Sequence, residues 1–210
     1  TANLYGLGCS NREQMEKCTR VSCLFPEICP MFRTDHSEYM GLLDAAEKEP
    51  GVRQVFISSG IRHDVALKDP QFIKRLASRN ISGHLRIAPE HTHHRILELM
   101  RKPGRDVWSR FTELFREEAE KGGKERYIMP YIIAAFPGCT TGDMQAARSF
   151  ILEQGPLPRQ IQIFLPTPMT AATAMYFTGI SCIDGEPLRI PVKPSEKQKQ
   201  KDIVLGGTHR

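Results

Sequence analysis

Apolar positions recur along this chain at two spacings, and the alternation between them predicts its elements. After a cysteine-bearing opening, Ser37 can cap a helix over Ser37–Glu49 with Met40, Leu43 and Ala46 on one face. Val52–Ser58 is a short apolar run that predicts a strand. Asp69 followed by Pro70 is a cap with proline at the first helical position, opening a helix over Pro70–Arg79 with Phe72, Ile73, Leu76 and Ala77 as its stripe. His84–Ala88 predicts the next strand. Ile96, Leu97 and Met100 share a helical face, and Trp108, Phe111, Phe115 and Ala119 mark a helix over Ser109–Glu120. Tyr127–Phe136 predicts a strand, with Pro130 implying a bulge or an edge position. Thr140 with Asp143 resembles a capping box for a helix over Thr141–Glu153, and Gln160–Leu165 predicts the last strand.

Apolar runs alternating with amphipathic helices indicate parallel βαβ units, so the fold class is α/β, with about four parallel strands in a small open sheet or part of a barrel. In barrels chemistry gathers at the C-terminal ends of strands. Here those ends read Ser58–Asp64, Ala88–Thr92, Phe136–Gly138 and Leu165–Thr170. Each taken alone is an ordinary turn composition. Charged groups recurring at several of them, Arg62, Asp64, Glu90 and His91, favour a shared site.

Composition narrows this picture. The chain has 210 residues and a net charge of +5, and much of the excess lies in the tail Lys193–Lys201, which disfavours a nucleic-acid footprint on a folded face. No apolar run approaches the about 18 residues of a membrane span, and no signal peptide opens the chain, so it reads as soluble and cytoplasmic. Thr1–Tyr5 lacks an initiator Met and a helix or strand signal, and reads as cut from something longer. Residues 181–210 read as an irregular, basic, mobile tail.

Four of the six cysteines, Cys9, Cys18, Cys23 and Cys29, fall within the first 29 residues. Residues 1–36 therefore read as a cysteine-rich segment. In a reducing compartment four thiolates this close can hold Zn²⁺ or an iron–sulfur cluster; disulfides and plain buried thiols are the alternatives.

Five segments carry a resemblance: Cys18-Thr-Arg-Val-Ser-Cys-Leu-Phe-Pro-Glu-Ile-Cys-Pro30, Ile57-Ser-Ser-Gly-Ile-Arg-His-Asp64, Leu85-Arg-Ile-Ala-Pro-Glu-His-Thr92, Met100-Arg-Lys-Pro-Gly104 and Phe164-Leu-Pro-Thr-Pro168. Together they resemble the later part of the barrel in the YgiQ family of radical S-adenosylmethionine (SAM) proteins. The Ala-Pro-Glu-His-Thr stretch also looks like a strand motif of radical methylthiotransferases.

The resemblance implies that residues 37–180 are the C-terminal part of a TIM-like radical SAM barrel. Its intact parent would bind a [4Fe–4S] cluster, cleave SAM reductively and act on a substrate the motifs do not specify. The partners would be that substrate, an electron donor and the missing N-terminal part of the same protein, with no membrane. The cluster loop of such proteins, C-x3-C-x2-C, does not occur here; the gaps between the first four cysteines are eight, four and five residues. This chain alone is therefore expected to be inactive. The alternative is a non-catalytic scaffold with zinc or an iron–sulfur cluster at Cys9, Cys18, Cys23 and Cys29.

The family-like SAM contacts are Glu90, Ser59, Arg62, Lys102 and Gly138. Glu90 would face the amino acid or ribose of SAM, or else be a surface acid. Lys102 would neutralise its carboxylate, or else be a helix-end cation. Ser59 and Arg62 would hold ribose or carboxylate, Gly138 would allow close backbone approach, and Phe136 would back the adenine or be core. His63 and His91 are acid–base candidates. Without its first strands the barrel would leave the strands Val52–Ser58 and Gln160–Leu165 each with an unpaired side.

Overall fold

The computed structural model describes residues 2–123 and 125–206. After a 3-10 turn at Ala2–Leu4 the elements are α1 (Arg12–Lys17), α2 (Ser37–Lys48), α3 (His63–Ala66), α4 (Pro70–Ser78), β1 (His84–Glu90), α5 (His94–Leu99), α6 (Arg105–Lys121), β2 (Tyr127–Ala134), α7 (Thr141–Gln154), β3 (Gln162–Ile163), α8 (Ala171–Thr178) and α9 (Pro194–Leu205). This is a mixed α/β fold with a three-stranded sheet of order β1-β2-β3 among the described residues. The chain divides into two compact units, Thr1–Ala88 with Asp106–Met129 and Pro89–Arg105 with Pro130–Arg210; the division falls within β1 and β2. No helix among the described residues is long and apolar enough to cross a membrane.

In the first unit, α4 begins as its sequence requires: the Asp69 carboxylate accepts from the Phe72 N–H at 3.2 Å, and Pro70 occupies the first turn, where its missing N–H removes no bond. Its stripe of Phe72, Ile73, Leu76 and Ala77 is buried, as are Trp108, Phe111, Phe115 and Ala119 on α6. Helix α2 starts one residue away from its expected cap. His36 is the N-cap, and Ser37 instead gives its N–H and hydroxyl to Asp35.

The predicted strand Val52–Ser58 is not one, so the sheet has three strands rather than four. Its backbone bonds go to scattered partners and not to the backbone of a strand: the Ile57 N–H donates to the Asn80 carbonyl at 2.9 Å, the Val55 carbonyl accepts from the Asn80 side chain at 3.0 Å, and the Ser58 carbonyl accepts from the Arg86 side chain at 3.1 Å. Val52 and Phe56 face outward, 41% and 45% exposed, so the run is not the buried strand its composition implied. Backbone pairing with β1 comes further on, at a parallel bridge between Ile61 and Ile87.

In the second unit, β3 runs parallel to β2 with Ile133 opposite Gln162 and Ala134 opposite Ile163. Pro130 therefore sits in the middle strand and not at an edge. Because β3 pairs only beyond it, its missing N–H removes no β2–β3 bond. The expected capping box of α7 is present: the Thr140 hydroxyl accepts from the Asp143 N–H at 3.2 Å, and Asp143 accepts the Thr140 N–H at 2.8 Å.

The tail is irregular only as far as Lys193. Pro194–Leu205 forms α9, which packs on α7 and buries Gln200 and Val204. Its last carbonyls are held by Arg148 of α7, which donates to the Val204 carbonyl at 3.1 Å, and Gly206 ends it at φ 73°. The last residues of the tail reading, 207–210, lie outside the described residues.

One buried cation ties α4 to α2 in the first unit. Arg75 donates to Asp44 and to the Asn80 side chain, each at 2.7 Å, while Arg79 reaches the same Asp44 at 2.8 Å from the surface. Arg75 is 8% exposed and Arg79 51%. Urea denaturation should therefore separate them: Arg75→Ala is expected to lose about 2–3 kcal/mol, because it empties a buried position and leaves the buried Asn80 side-chain oxygen without its donor. Arg79→Ala should lose less than about 1 kcal/mol. Equal losses would show that burial does not set the difference.

Candidate functional site

Strand β1 runs parallel to β2, since the Tyr127 N–H donates to the Gly83 carbonyl at their starts while Glu90 and Ile133 line one cavity near their ends. In the second unit this places the ends of all three strands around a cavity of about 580 Å³. Its wall includes Glu90 from the end of β1, Met100 and Arg101 after α5, Tyr131 and Ile133 of β2, and Phe136 just beyond. Gln162 to Leu165, Thr167 and the start of α8 complete it.

The backbone around this cavity is unusual. Among the described residues, the non-glycine residues with positive φ are Glu90 (67°), Arg101 (52°), Ala135 (60°) and Met169 (63°). Glu90 and Arg101 line the cavity, Ala135 precedes Phe136, and Met169 lies between the lining residues Thr167 and Thr170. A left-handed residue with a side chain costs on the order of 1–3 kcal/mol and persists only where its surroundings enforce it; such residues gather at ligand sites.

Glu90 is half-buried and pairs with Lys102 at 2.9 Å. The two expected SAM contacts of this region are thus brought together, each facing the other. The Tyr131 phenol, on the same wall, is held above its usual range by burial and by the Glu90 charge. Phe136 meets Phe164 edge to face at 5.2 Å, and both line the cavity. Gly138, at φ 83°, is a tight-turn glycine. A side chain there would meet Arg95 at 3.1 Å and Leu99 at 3.2 Å, so the close approach it permits is to its own unit.

Ser59 and Arg62 belong to the first unit. Ser59 is exposed. Arg62 grips Asp64 with both arms, at 2.8 and 2.5 Å. Burial pushes the Asp64 carboxyl upward, but the Arg62 bonds and charge outweigh it and hold the carboxyl below its usual range. His63 is buried edge-on to Phe111 at 6.1 Å.

The four N-terminal cysteines are free thiols; Cys18 and Cys23 are exposed, Cys9 and Cys29 half-buried. Backbone bonds tie their segment, with Cys9 bridged to Phe32 and the Cys29 N–H on the Cys23 carbonyl at 2.8 Å. Among the described residues no three His, Cys, Asp or Glu side chains converge as a metal-holding group.

A buried pair that sequence reading missed joins His91 to Cys139, Nε2 to Sγ at 3.5 Å. The His93 N–H donates to His91 Nδ1 at 3.0 Å, which leaves the ring proton on Nε2, facing the sulfur. Burial pushes the Cys139 thiol up to about 12, and burial lowers His91 to about 4. A neutral thiol against a neutral imidazole is not an activated nucleophile.

No family model matches the chain. It is similar to a "UPF0313 protein" of Methanosarcina acetivorans, 39% identical over 204 residues, which is 97% of this chain and 28% of the relative. A "UPF0313 protein" of Thermotoga maritima is 43% identical over 208 residues, 98% of this chain and 36% of the relative. One of Geobacter sulfurreducens is 40% identical over 205 residues, 98% of this chain and 34% of the relative. The chain spans about a third of the length of these relatives.

His91 gives the second unit a pH dependence. Above its ordinary value of 6.5 it is neutral both folded and unfolded; between 6.5 and about 4 the unfolded chain takes up a proton that the folded chain refuses. Stability is therefore expected to fall by about 3 kcal/mol across that window. Urea titrations at pH 7, 5.5 and 4.5 should show this slope in the natural chain and a flatter one in His91→Gln; identical slopes would remove His91 as the cause.

Proposed function

We propose that this chain is part of a UPF0313 protein of the YgiQ type, that it forms part of a radical SAM barrel, and that its strand-end cavity is the part of the SAM site these residues contribute. The observation that carries the reading is convergence. Three of the five resemblance segments, the near neighbours Leu85–Thr92 and Met100–Gly104 and, some sixty residues further on, Phe164–Pro168, all put residues on the wall of one cavity.

The residues present fit SAM in kind. A cavity of about 580 Å³ lies in the size range of small-molecule sites, roughly 300–1,000 Å³. Phe136 and Phe164 offer apolar ring surface to a base. Glu90 and Lys102 supply one charge of each sign for an amino-acid group. These residues would bind and orient SAM, and Tyr131 would donate a hydrogen bond near Glu90.

The cluster is a different case. In the whole protein a [4Fe–4S] cluster would supply the low-potential electron for SAM cleavage. Its C-x3-C-x2-C thiolates are not among the residues of this sequence, so no step of that cleavage is assigned to this chain. The substrate and the electron donor would meet the whole protein.

A second reading, a metal at the N-terminal cysteines, is favoured by one observation. Of the described residues from Leu4 to Asp35, none is buried, so this segment is not held by an apolar core of its own. A thiolate-bound Zn²⁺ or iron–sulfur cluster orders segments of this kind.

Two measurements separate these readings. Saturation-transfer NMR of the chain with SAM should show binding that weakens at least about tenfold in Glu90→Gln and Lys102→Met. The full-length Thermotoga maritima relative, reconstituted anaerobically with iron, sulfide and a reductant, should release 5′-deoxyadenosine. Absence of both binding and product would refute the SAM reading. For the second, the chain purified with Zn²⁺ should retain about one equivalent by elemental analysis and lose it when Cys9, Cys18, Cys23 and Cys29 become Ser. Retention by the quadruple variant would exclude these ligands.

A further inference from the structure

The loop between β2 and α7, Ala135 to Cys139, carries left-handed Ala135 and puts Phe136 on the cavity wall. It is held from a distance of some sixty residues in sequence. Gln200, on the lysine-rich helix α9, is fully buried. Its Oε1 accepts from the Ala135 N–H at 2.8 Å, and its Nε2 donates to the Cys139 carbonyl at 3.1 Å.

Those two bonds span the loop from its first residue to its last. They satisfy the N–H of the strained residue and the carbonyl at the far end, which the turn leaves unpaired by sheet or helix. Helix α9 reaches the same wall a second way. Lys197 donates to the Tyr176 hydroxyl at 3.0 Å, Tyr176 meets Phe164 at 5.8 Å, and Phe164 meets Phe136 at 5.2 Å.

We infer that Gln200 is a positioning residue for the cavity. By clamping both ends of the Ala135–Cys139 loop it holds Ala135 left-handed, and so sets the Phe136 ring against which a ligand packs. The inference rests on the SAM reading for the identity of that ligand, and adds to it a residue that touches no ligand. A glutamine fits this task because one side chain offers an acceptor and a donor at the spacing of the two ends. Methionine has nearly the same length and bulk and offers neither.

The test compares the natural chain with Gln200→Met, and with Lys199→Met as an exposed control on the same helix. SAM affinity is measured by NMR titration well below the melting temperature, alongside amide exchange at Ala135–Cys139. Expected are about tenfold weaker SAM binding in Gln200→Met, faster exchange confined to that loop, and no change in Lys199→Met. A Gln200→Met chain that melts earlier but binds SAM like the natural one has lost only packing, and overturns the inference.

If Gln200→Met does not fold, the natural chain still decides. A ligand that depends on the clamped loop must in turn stabilise it, so SAM should slow exchange at Ala135–Cys139; unchanged exchange under saturating SAM overturns the inference. A natural chain that binds no SAM refutes the functional reading itself, and this inference with it. Binding with no effect of Gln200 refutes the inference alone.

Discussion

The Asp143 carboxylate anchors the second unit. It accepts the Thr140 N–H and hydroxyl at 2.8 and 2.9 Å, closing the first turn of α7, and it pairs with Arg95 of α5 at 3.1 Å. Arg95 in turn donates to the Gly138 carbonyl at 2.8 Å. One acid thus joins α5, which follows β1, to the start of α7, which follows β2. Burial raises its carboxyl, but the Thr140 bonds and the nearby His93 and Arg95 charges prevail and hold it below its usual range, so it stays an anion at neutral pH. Glu90 ends β1 and Phe136 follows β2, the two strands whose next helices this acid joins.

Around that anchor the backbone is held in conformations it would not choose. Ala135 has no glycine's freedom at φ 60°. Tertiary contacts hold its loop: the Gln200 amide on its N–H, the Arg189 carbonyl accepting the Gly138 N–H at 2.8 Å, and the buried His91–Cys139 contact at the loop's end. Strain at one end of the sheet is balanced by a helix that otherwise carries three lysines and few buried residues.

How much of this could be read from the sequence follows from the kind of signal each element carries. Helices α4, α6 and α7 announce themselves through a cap and a stripe: Asp69-Pro70, Trp108 to Ala119, and Thr140 with Asp143. Helix α9 has Pro194 at its first position and Gly206 at its end, but of its twelve residues only Gln200 and Val204 are buried, too few to make a stripe. Val52–Ser58 shows the opposite error. Its residues have strand propensity, but propensity does not provide a neighbour to pair with. The sequence singles out Glu90 and Lys102 through the motifs that carry them and Phe136 as a strand end; Glu90 and Phe136 line the cavity and Lys102 pairs with Glu90. The site was not legible at Gln200, because a glutamine between lysines has the composition of a solvated face. The left-handed φ values of Glu90, Arg101 and Met169 leave no mark in residue type at all.

The ion pair between Glu90 and Lys102 has a bearing on what the cavity can admit. Closed on itself at 2.9 Å, it leaves that part of the wall electrically neutral while keeping both charges ready. A singly charged guest would have to part the pair and leave one member stranded in a half-buried place, where an unmatched charge is expensive. A zwitterion can part the pair and match both members, its cation to the carboxylate and its anion to the ammonium, so that neither charge is left alone. The pair would therefore favour a guest by the pattern of its charges more than by their sum.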